Sequence, residues 1–189
     1  MVISCFPILK IISFLLLIQG WTTGAGIPLA QAKPIDGVGQ LKFGMKPSAV
    51  EALDGCSSEY ECLYDILGKN RYFTLSYGRS GPSSTPDDSH SQNGTLTHID
   101  IDMGSHTKEW FGELYEVLVS QYPLSHIPTE QEDDHFQSGK DQELIIGFAD
   151  GSVLLKIVRR KFGNTILRVV YQDEVAAKAQ RNHWEQNRE

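Results

Sequence analysis

The sequence predicts an α+β fold in which an antiparallel sheet packs against helices. Residues 95–103 alternate apolar and polar side chains, which is the period of a half-buried strand. Residues 110–122 instead place their apolar side chains on one stripe of a helix, which Thr107 can cap and Pro123 ends. The pair Asp150-Gly151 stands between two apolar runs and indicates a hairpin, so the strands on either side of it run antiparallel.

Local signals predict the remaining elements. Pro47 in a first turn and Gly55 as a stop favour a short helix over residues 46–53. Apolar and β-branched runs predict further strands, and a polar helix is expected from Asp173 onward. The expected strands are 63–67 and 72–77 around a Gly68-Lys69-Asn70 turn, then 143–148, 152–158 and, after a Phe162-Gly163-Asn164 turn, 164–172.

Two polar segments interrupt these elements. Residues 79–94 are nearly all small or polar, so we expect a mobile loop. Residues 124–141 are expected to form a second polar connector, which contains the acidic run Glu130 to Asp134 followed by His135. That run lacks the spaced oxygen ligands and the fixed glycine of a calcium-binding loop, so the prediction is a solvated loop.

The order of elements suggests two similar units. It reads helix, three strands, helix, three strands and a final helix, although the residues themselves do not repeat. The hairpins make the sheet antiparallel whether or not the two units are a duplication.

The first 32 residues have the pattern of a secretory signal peptide. Lys10 precedes the apolar run 11–18, and small residues follow it. The run is about half of the roughly 20 residues that a membrane-spanning helix needs, so we expect cleavage rather than a permanent span. The small-x-small rule allows cleavage after Ala25 or after Ala32. We therefore expect a periplasmic or secreted protein with a single domain over residues 33–189.

Composition and cysteines narrow the classes of function. A formal net charge of −7 argues against nucleic-acid binding. Cys56 and Cys62 follow the expected signal peptide, and an even pair in an exported protein predicts a disulfide bond. The bond closes a short loop and is expected to stabilise one turn by about 2.4 kcal/mol. Motifs of serine hydrolases, zinc proteases and phosphate-binding loops are absent from the sequence, so we expect no cofactor and no metal.

Residues 41–56 carry one motif with a family resemblance. Gly44-Met45 is followed by Val50 and then by Gly55, a spacing that resembles the opening helix motif of BamE-like (SmpA/OmlA) envelope proteins. The helix-plus-antiparallel-sheet unit is similar to that of β-lactamase-inhibitor-protein-like domains. These resemblances imply a non-catalytic module that binds protein partners outside the cytoplasm, and no residue role is transferred from either family.

Three polar residues share one face of the strand at 95–103. His98, Asp100 and Asp102 alternate with apolar residues, so their side chains follow one another about 6.5 to 7 Å apart. Two carboxylates and an imidazole at that spacing can serve a metal ion or the hydrolysis of a glycosidic bond. The interpretation that we favour is the solvated outer face of a sheet.

Positive charge concentrates near the last hairpin. Such a cluster can bind a phosphate, a lipid headgroup or an acidic partner. Alternatively, the charges prevent one sheet edge from pairing with another. The residues are Lys156, Arg159, Arg160 and Lys161, with Arg168 on the following strand.

The function that these observations favour is an exported, non-catalytic binding module for a protein or an envelope polymer. The 79–94 loop or the acidic connector is the expected contact element. The alternative is a secreted or periplasmic hydrolase of envelope polymers, which requires Asp100 and Asp102 to line a cleft. A third hypothesis is an anion-binding envelope component that uses Arg159, Arg160 and Lys161.

Overall fold

One antiparallel sheet of eight strands runs through the described part of the chain. A computed structural model describes residues 35–78, 94–161 and 163–186. The strands are β1 (Gly37–Val38), β2 (Leu41–Lys42), β3 (Cys56–Ser58), β4 (Glu61–Ile66), β5 (Lys69–Gly78), β6 (Thr95–Ser105), β7 (Leu124–His126), β8 (Glu143–Phe148), β9 (Val153–Arg159) and β10 (Thr165–Gln172). The helices are α1 (Pro47–Glu51), α2 (Lys108–Gln121), α3 (Glu130–Ser138) and α4 (Glu174–Gln186). The sheet order is β3-β4-β5-β6-β10-β9-β8-β7, beside a small β1–β2 hairpin, which confirms the predicted α+β class.

The sheet has two halves that meet at β6 and β10. Strands β3 to β6 run in chain order from one edge to the centre, and β7 to β10 do the same from the other edge. The central strands pair antiparallel, with Gln172 opposite His98 and Ile166 opposite Ser105. Each half therefore has four strands rather than the expected three. The additional strands are the edge strands β3 and β7, whose three residues each are too few to show an alternation in sequence.

The turn between β4 and β5 differs from the prediction. Leu67 and Gly68 form it, with φ angles of 54° and 74°. Two consecutive positive φ angles give a two-residue connection whose twist matches that of the strands. Lys69 and Asn70, which were expected in the turn, therefore begin β5. The β8–β9 hairpin lies where Asp150-Gly151 predicts it.

A bulge changes which residues of β6 face the core. Ser76 is opposite His98 and Tyr77 is opposite Leu96, so Thr97 is an additional residue in β6. Leu96 is buried as a result, whereas Thr97 is only half-buried. The Thr97 hydroxyl donates to the carbonyl of Ser76 over 3.2 Å, which holds the bulge in place.

The expected polar connector at 124–141 is wrong, because the segment contains strand β7 and helix α3. Thr129 and Glu132 form a capping box, in which the Thr129 hydroxyl accepts from the Glu132 N–H and the Glu132 carboxylate accepts from the Thr129 N–H. Gly139, with a φ of 78°, ends the helix. The acidic run thus lies at the helix N-terminus, where negative charge is favourable.

The inner face of the sheet carries the main core. Helix α2 covers it with Leu114 and Leu118, both buried, as the helical stripe predicts. The Thr107 hydroxyl accepts a hydrogen bond from the backbone N–H of Trp110 over 3.1 Å, which confirms the predicted cap. The strand side chains on this face include Phe73, Leu75, Ile99, Ile101, Leu155 and Val169.

The opposite, outer face is covered over the second half of the sheet. Helix α4 packs Trp184, which is 5% exposed, against Leu154 and Val170. A side-chain carbon at Gly147 would lie 2.2 Å from the indole, so the glycine leaves the space that the ring fills. The His126 ring stacks on the indole with 4.3 Å between the ring centroids. In the first half, the outward side chains of β4 and most of those of β5 are exposed.

The predicted signal peptide at 1–32 lies outside the described residues, as do positions 79–93 of the expected loop and Phe162 of the expected turn.

Candidate functional site

The candidate site is the part of the outer face that helix α4 leaves uncovered. His98, Asp100 and Asp102 lie on the outer face of β6, because Ile99 and Ile101 between them point into the core. The predicted shared face is therefore present.

Both aspartates of β6 form ion pairs with arginines. The Asp100 carboxylate lies 2.8 Å from Nε of Arg168 on β10. The Asp102 carboxylate lies 3.1 Å from the Arg160 guanidinium and accepts a 2.8 Å hydrogen bond from the backbone N–H of Gly104. These contacts engage the carboxylates within the protein.

The basic residues near the last hairpin do not form one patch. Lys156 pairs with Glu143 over 2.8 Å, and Arg160 pairs with Asp102. Arg159 lies on the other side of the sheet, where it donates to the carbonyl of Phe136 over 2.6 Å and stacks over that ring. Lys161 is exposed in the following turn. The predicted anion-binding residues are thus divided between two faces, and acidic partners neutralise two of them.

Burial shifts the pKa of two outer-face groups. It raises the pKa of Asp100 above its ordinary value, although Arg168 and Lys156 act in the opposite direction. It lowers the pKa of His98, against a smaller contribution from Asp173 that raises it. Both shifts favour the uncharged form, because burial penalises the charged one.

Two surface cavities lie beside α3, away from the aspartates of β6. One of about 960 Å³ is formed by α3 and its flanking residues, and the other, of about 650 Å³, lies between α3, β8 and α4. Neither is lined by His98, Asp100 or Asp102. Within the described ranges, no three His, Cys, Asp or Glu side chains are grouped so that they could hold a metal ion.

An apolar pair on the outer face was not predicted from the sequence. Tyr72 of β5 is 67% exposed and Leu63 of β4 is 40% exposed, and the two residues are direct cross-strand partners. The alternation in β5 could have predicted the exposure of Tyr72. Phe73, Leu75 and Tyr77 face the core, so Tyr72 must lie on the opposite face. The same register puts Glu61 opposite Thr74 and Asp65 opposite Asn70.

The predicted disulfide bond lies at the edge of this surface. Cys56 and Cys62 face each other across β3 and β4, and their sulfur atoms are 1.99 Å apart. The bond therefore fixes the short edge strand β3 to β4, which carries Glu61, Leu63 and Asp65.

Comparison of this chain with protein-family models, with curated proteins and with solved structures found no significant match. The BamE-like and β-lactamase-inhibitor-protein-like resemblances therefore stay expectations from the sequence. The described helices include none that is both long enough and apolar enough to cross a bilayer.

Proposed function

We propose that this chain is an exported, non-catalytic binding module that recognises a protein partner through the outer face of β4 and β5. The observation that carries the proposal is the exposed cross-strand pair of Tyr72 and Leu63 on a sheet face that is otherwise polar. Tyrosine is enriched in protein interfaces because it combines a large apolar ring with a hydroxyl group. An apolar centre within a polar rim is the usual arrangement of such an interface.

Export is supported by two observations of different kinds. The Cys56–Cys62 disulfide bond is the form in which paired cysteines persist in oxidising compartments. The signal-peptide pattern at residues 1–32 also predicts export, from the sequence alone. We place the protein in the periplasm or outside the cell on these grounds.

The alternative function, a hydrolase of envelope polymers, has less support. A pair of catalytic carboxylates must reach a bound substrate. Asp100 and Asp102 are instead held by Arg168 and Arg160, and the two cavities beside α3 do not include them. Asp100→Asn and Asp102→Asn variants should therefore retain the capture of the partner.

Photo-crosslinking from position 72 tests the proposal. The full chain would be produced in its native host with a photoreactive phenylalanine analogue at position 72, and a matched chain would carry it at Glu116, which is exposed on α2. A discrete adduct with one protein at position 72, absent at position 116, supports the proposal. Equal labelling at both positions, or no adduct at position 72, contradicts it.

A further inference from the structure

We propose that the outer face of β4 and β5 binds an arginine side chain of the partner protein, at a site formed by Tyr72, Leu63, Glu61 and Asp65. This inference rests on the proposed function and adds the chemistry of the contact. It concerns a site distinct from the ion pairs of β6, β9 and β10.

The strand register fixes the arrangement of the four residues. Tyr72 pairs directly with Leu63, while Glu61 pairs with Thr74 and Asp65 pairs with Asn70. Glu61 and Asp65 therefore occupy the two diagonal positions from Tyr72, each about 7 to 8 Å from it on the same face. An exposed aromatic ring is thus flanked by a carboxylate on either side.

The charges on this part of the face are acidic. Among the ion pairs of the described residues, none includes Glu61 or Asp65, in contrast to Asp100 and Asp102. One Asp65 oxygen accepts from the backbone N–H of Gly68 over 3.1 Å.

The basic residues of β5 do not offset these carboxylates. Lys69 and Arg71 alternate with Tyr72 and lie over the Trp110 ring, 5.1 and 5.4 Å from its centroid. The outward neighbours Asn70 and Thr74 are uncharged.

An arginine matches this combination better than other groups do. Its guanidinium stacks on aromatic rings, is weakly hydrated and forms hydrogen bonds with carboxylates. Its aliphatic stem can cover Leu63. An anionic ligand or a nucleic acid would be repelled by the two carboxylates, and a second copy of this face would bring like charges together.

The test is an NMR titration of the full chain with a short capped peptide that contains arginine and leucine. A matched peptide with glutamate in place of arginine is the control, and a lysine peptide tests the choice of cation. We expect the arginine peptide to shift the amide resonances of Tyr72 and its neighbours in β4 and β5, with weaker shifts for lysine and none for glutamate.

Charge variants locate the binding. Glu61→Gln with Asp65→Asn should weaken the arginine peptide about three- to tenfold, because two exposed charge contacts are lost. Glu113→Gln with Glu116→Gln removes the same net charge from exposed positions of α2 and should leave the affinity unchanged. Tyr72→Leu should weaken binding, whereas Tyr72→Phe should retain it because the ring remains.

The outcomes separate this inference from the proposed function. Equal effects of the two charge variants, or shifts confined to other surfaces, overturn the arginine site. A crosslinked partner at position 72 combined with no preference for the arginine peptide also overturns it, while the binding module stands. The loss of both the adduct and the peptide shifts overturns the two together.

Discussion

The outer face of the sheet is covered in its second half and exposed in its first half. In the second half, Leu154 and Val170 are buried under Trp184 of α4, and Gly147 makes room for the indole. In the first half, Tyr72 and Leu63 stay exposed beside Glu61 and Asp65. One half of the sheet thus buries its apolar side chains under a helix, whereas the other half leaves a mixed surface exposed, which we propose serves recognition. Trp184 belongs to the covered surface and Tyr72 to the exposed one.

Removing the indole should have the largest effect on stability. Trp184→Ala leaves a void above Gly147 and Leu154, so we expect a loss of about 3–5 kcal/mol in the free energy of unfolding. Urea denaturation measures it. Glu185→Ala, at an exposed neighbouring position of α4, should change stability by less than about 0.5 kcal/mol.

Tyr72→Ala is the matching change on the first half of the sheet, whose outer face is exposed. It should alter stability little and abolish the peptide shifts, because the ring is exposed. A large loss of stability in Tyr72→Ala, or a negligible one in Trp184→Ala, would contradict the division between the two halves.

The disulfide bond stabilises the edge of the first half of the sheet. Cys56→Ala with Cys62→Ala should cost about 2.4 kcal/mol, because the unfolded chain regains the freedom that the closed loop restricts. Denaturation of the wild type in reducing and non-reducing buffer provides the control, since reduction should produce a similar loss. Complete unfolding of the double variant would mean that the bond holds more than one turn.

A methyl group at Gly147 should destabilise the second half of the sheet by less than the loss of the indole does. Gly147→Ala brings a carbon to 2.2 Å from the indole, so α4 must shift, at a cost of about 1–3 kcal/mol. In the Trp184→Ala background the same change should cost much less, because the clash partner is absent. Additive effects in this double-mutant cycle would show that Trp184 does not fill the space at Gly147.

The smallest effect concerns the boundary between the halves, where His98 lies opposite Gln172. Burial lowers the pKa of His98 below its ordinary value of 6.5, so the unfolded state binds more protons as the pH falls through that region. The contribution of His98 is therefore complete above pH 6.5 and is lost as the pH falls towards the lowered pKa. His98→Gln should show a smaller loss of stability between pH 7 and pH 5 than the wild type.

His106 provides the comparison for that experiment, because burial lowers its pKa as well. His106→Gln should remove its own share of the pH dependence, and the double variant should remove more than either single change. An unchanged pH profile in His98→Gln would contradict the assigned direction.

The sequence was sufficient for elements with a strong internal period. The alternation in 95–103 and the apolar stripe of 110–122 predicted β6 and α2 because burial on one face is a local pattern. Helix α3 was missed because it buries one side chain, Phe136, although Thr129 and Glu132 carry a capping-box signature. The sequence could also have predicted that Lys156 and Arg159 lie on opposite faces, since residues three apart on a strand point to opposite faces.

The contacts at the candidate site could not be predicted from local sequence patterns. The pairing of Tyr72 with Leu63 follows from the two-residue turn at Leu67-Gly68, and the expected longer turn gave no register. The contact of Trp184 with Gly147 joins residues that lie far apart in the chain. Neither could be obtained from periodicity alone.

The pairing of β6 with β10 also has a consequence for the order of folding. Within each half, neighbouring strands are mostly joined by short connections and can pair early, whereas β6 must wait until β10 has been synthesised. An intermediate with two separate halves would expose the unpaired edges of both central strands. During synthesis, the first half would therefore present β6 as an open edge until the last strand arrives, and this interval is when the chain is most exposed to aggregation.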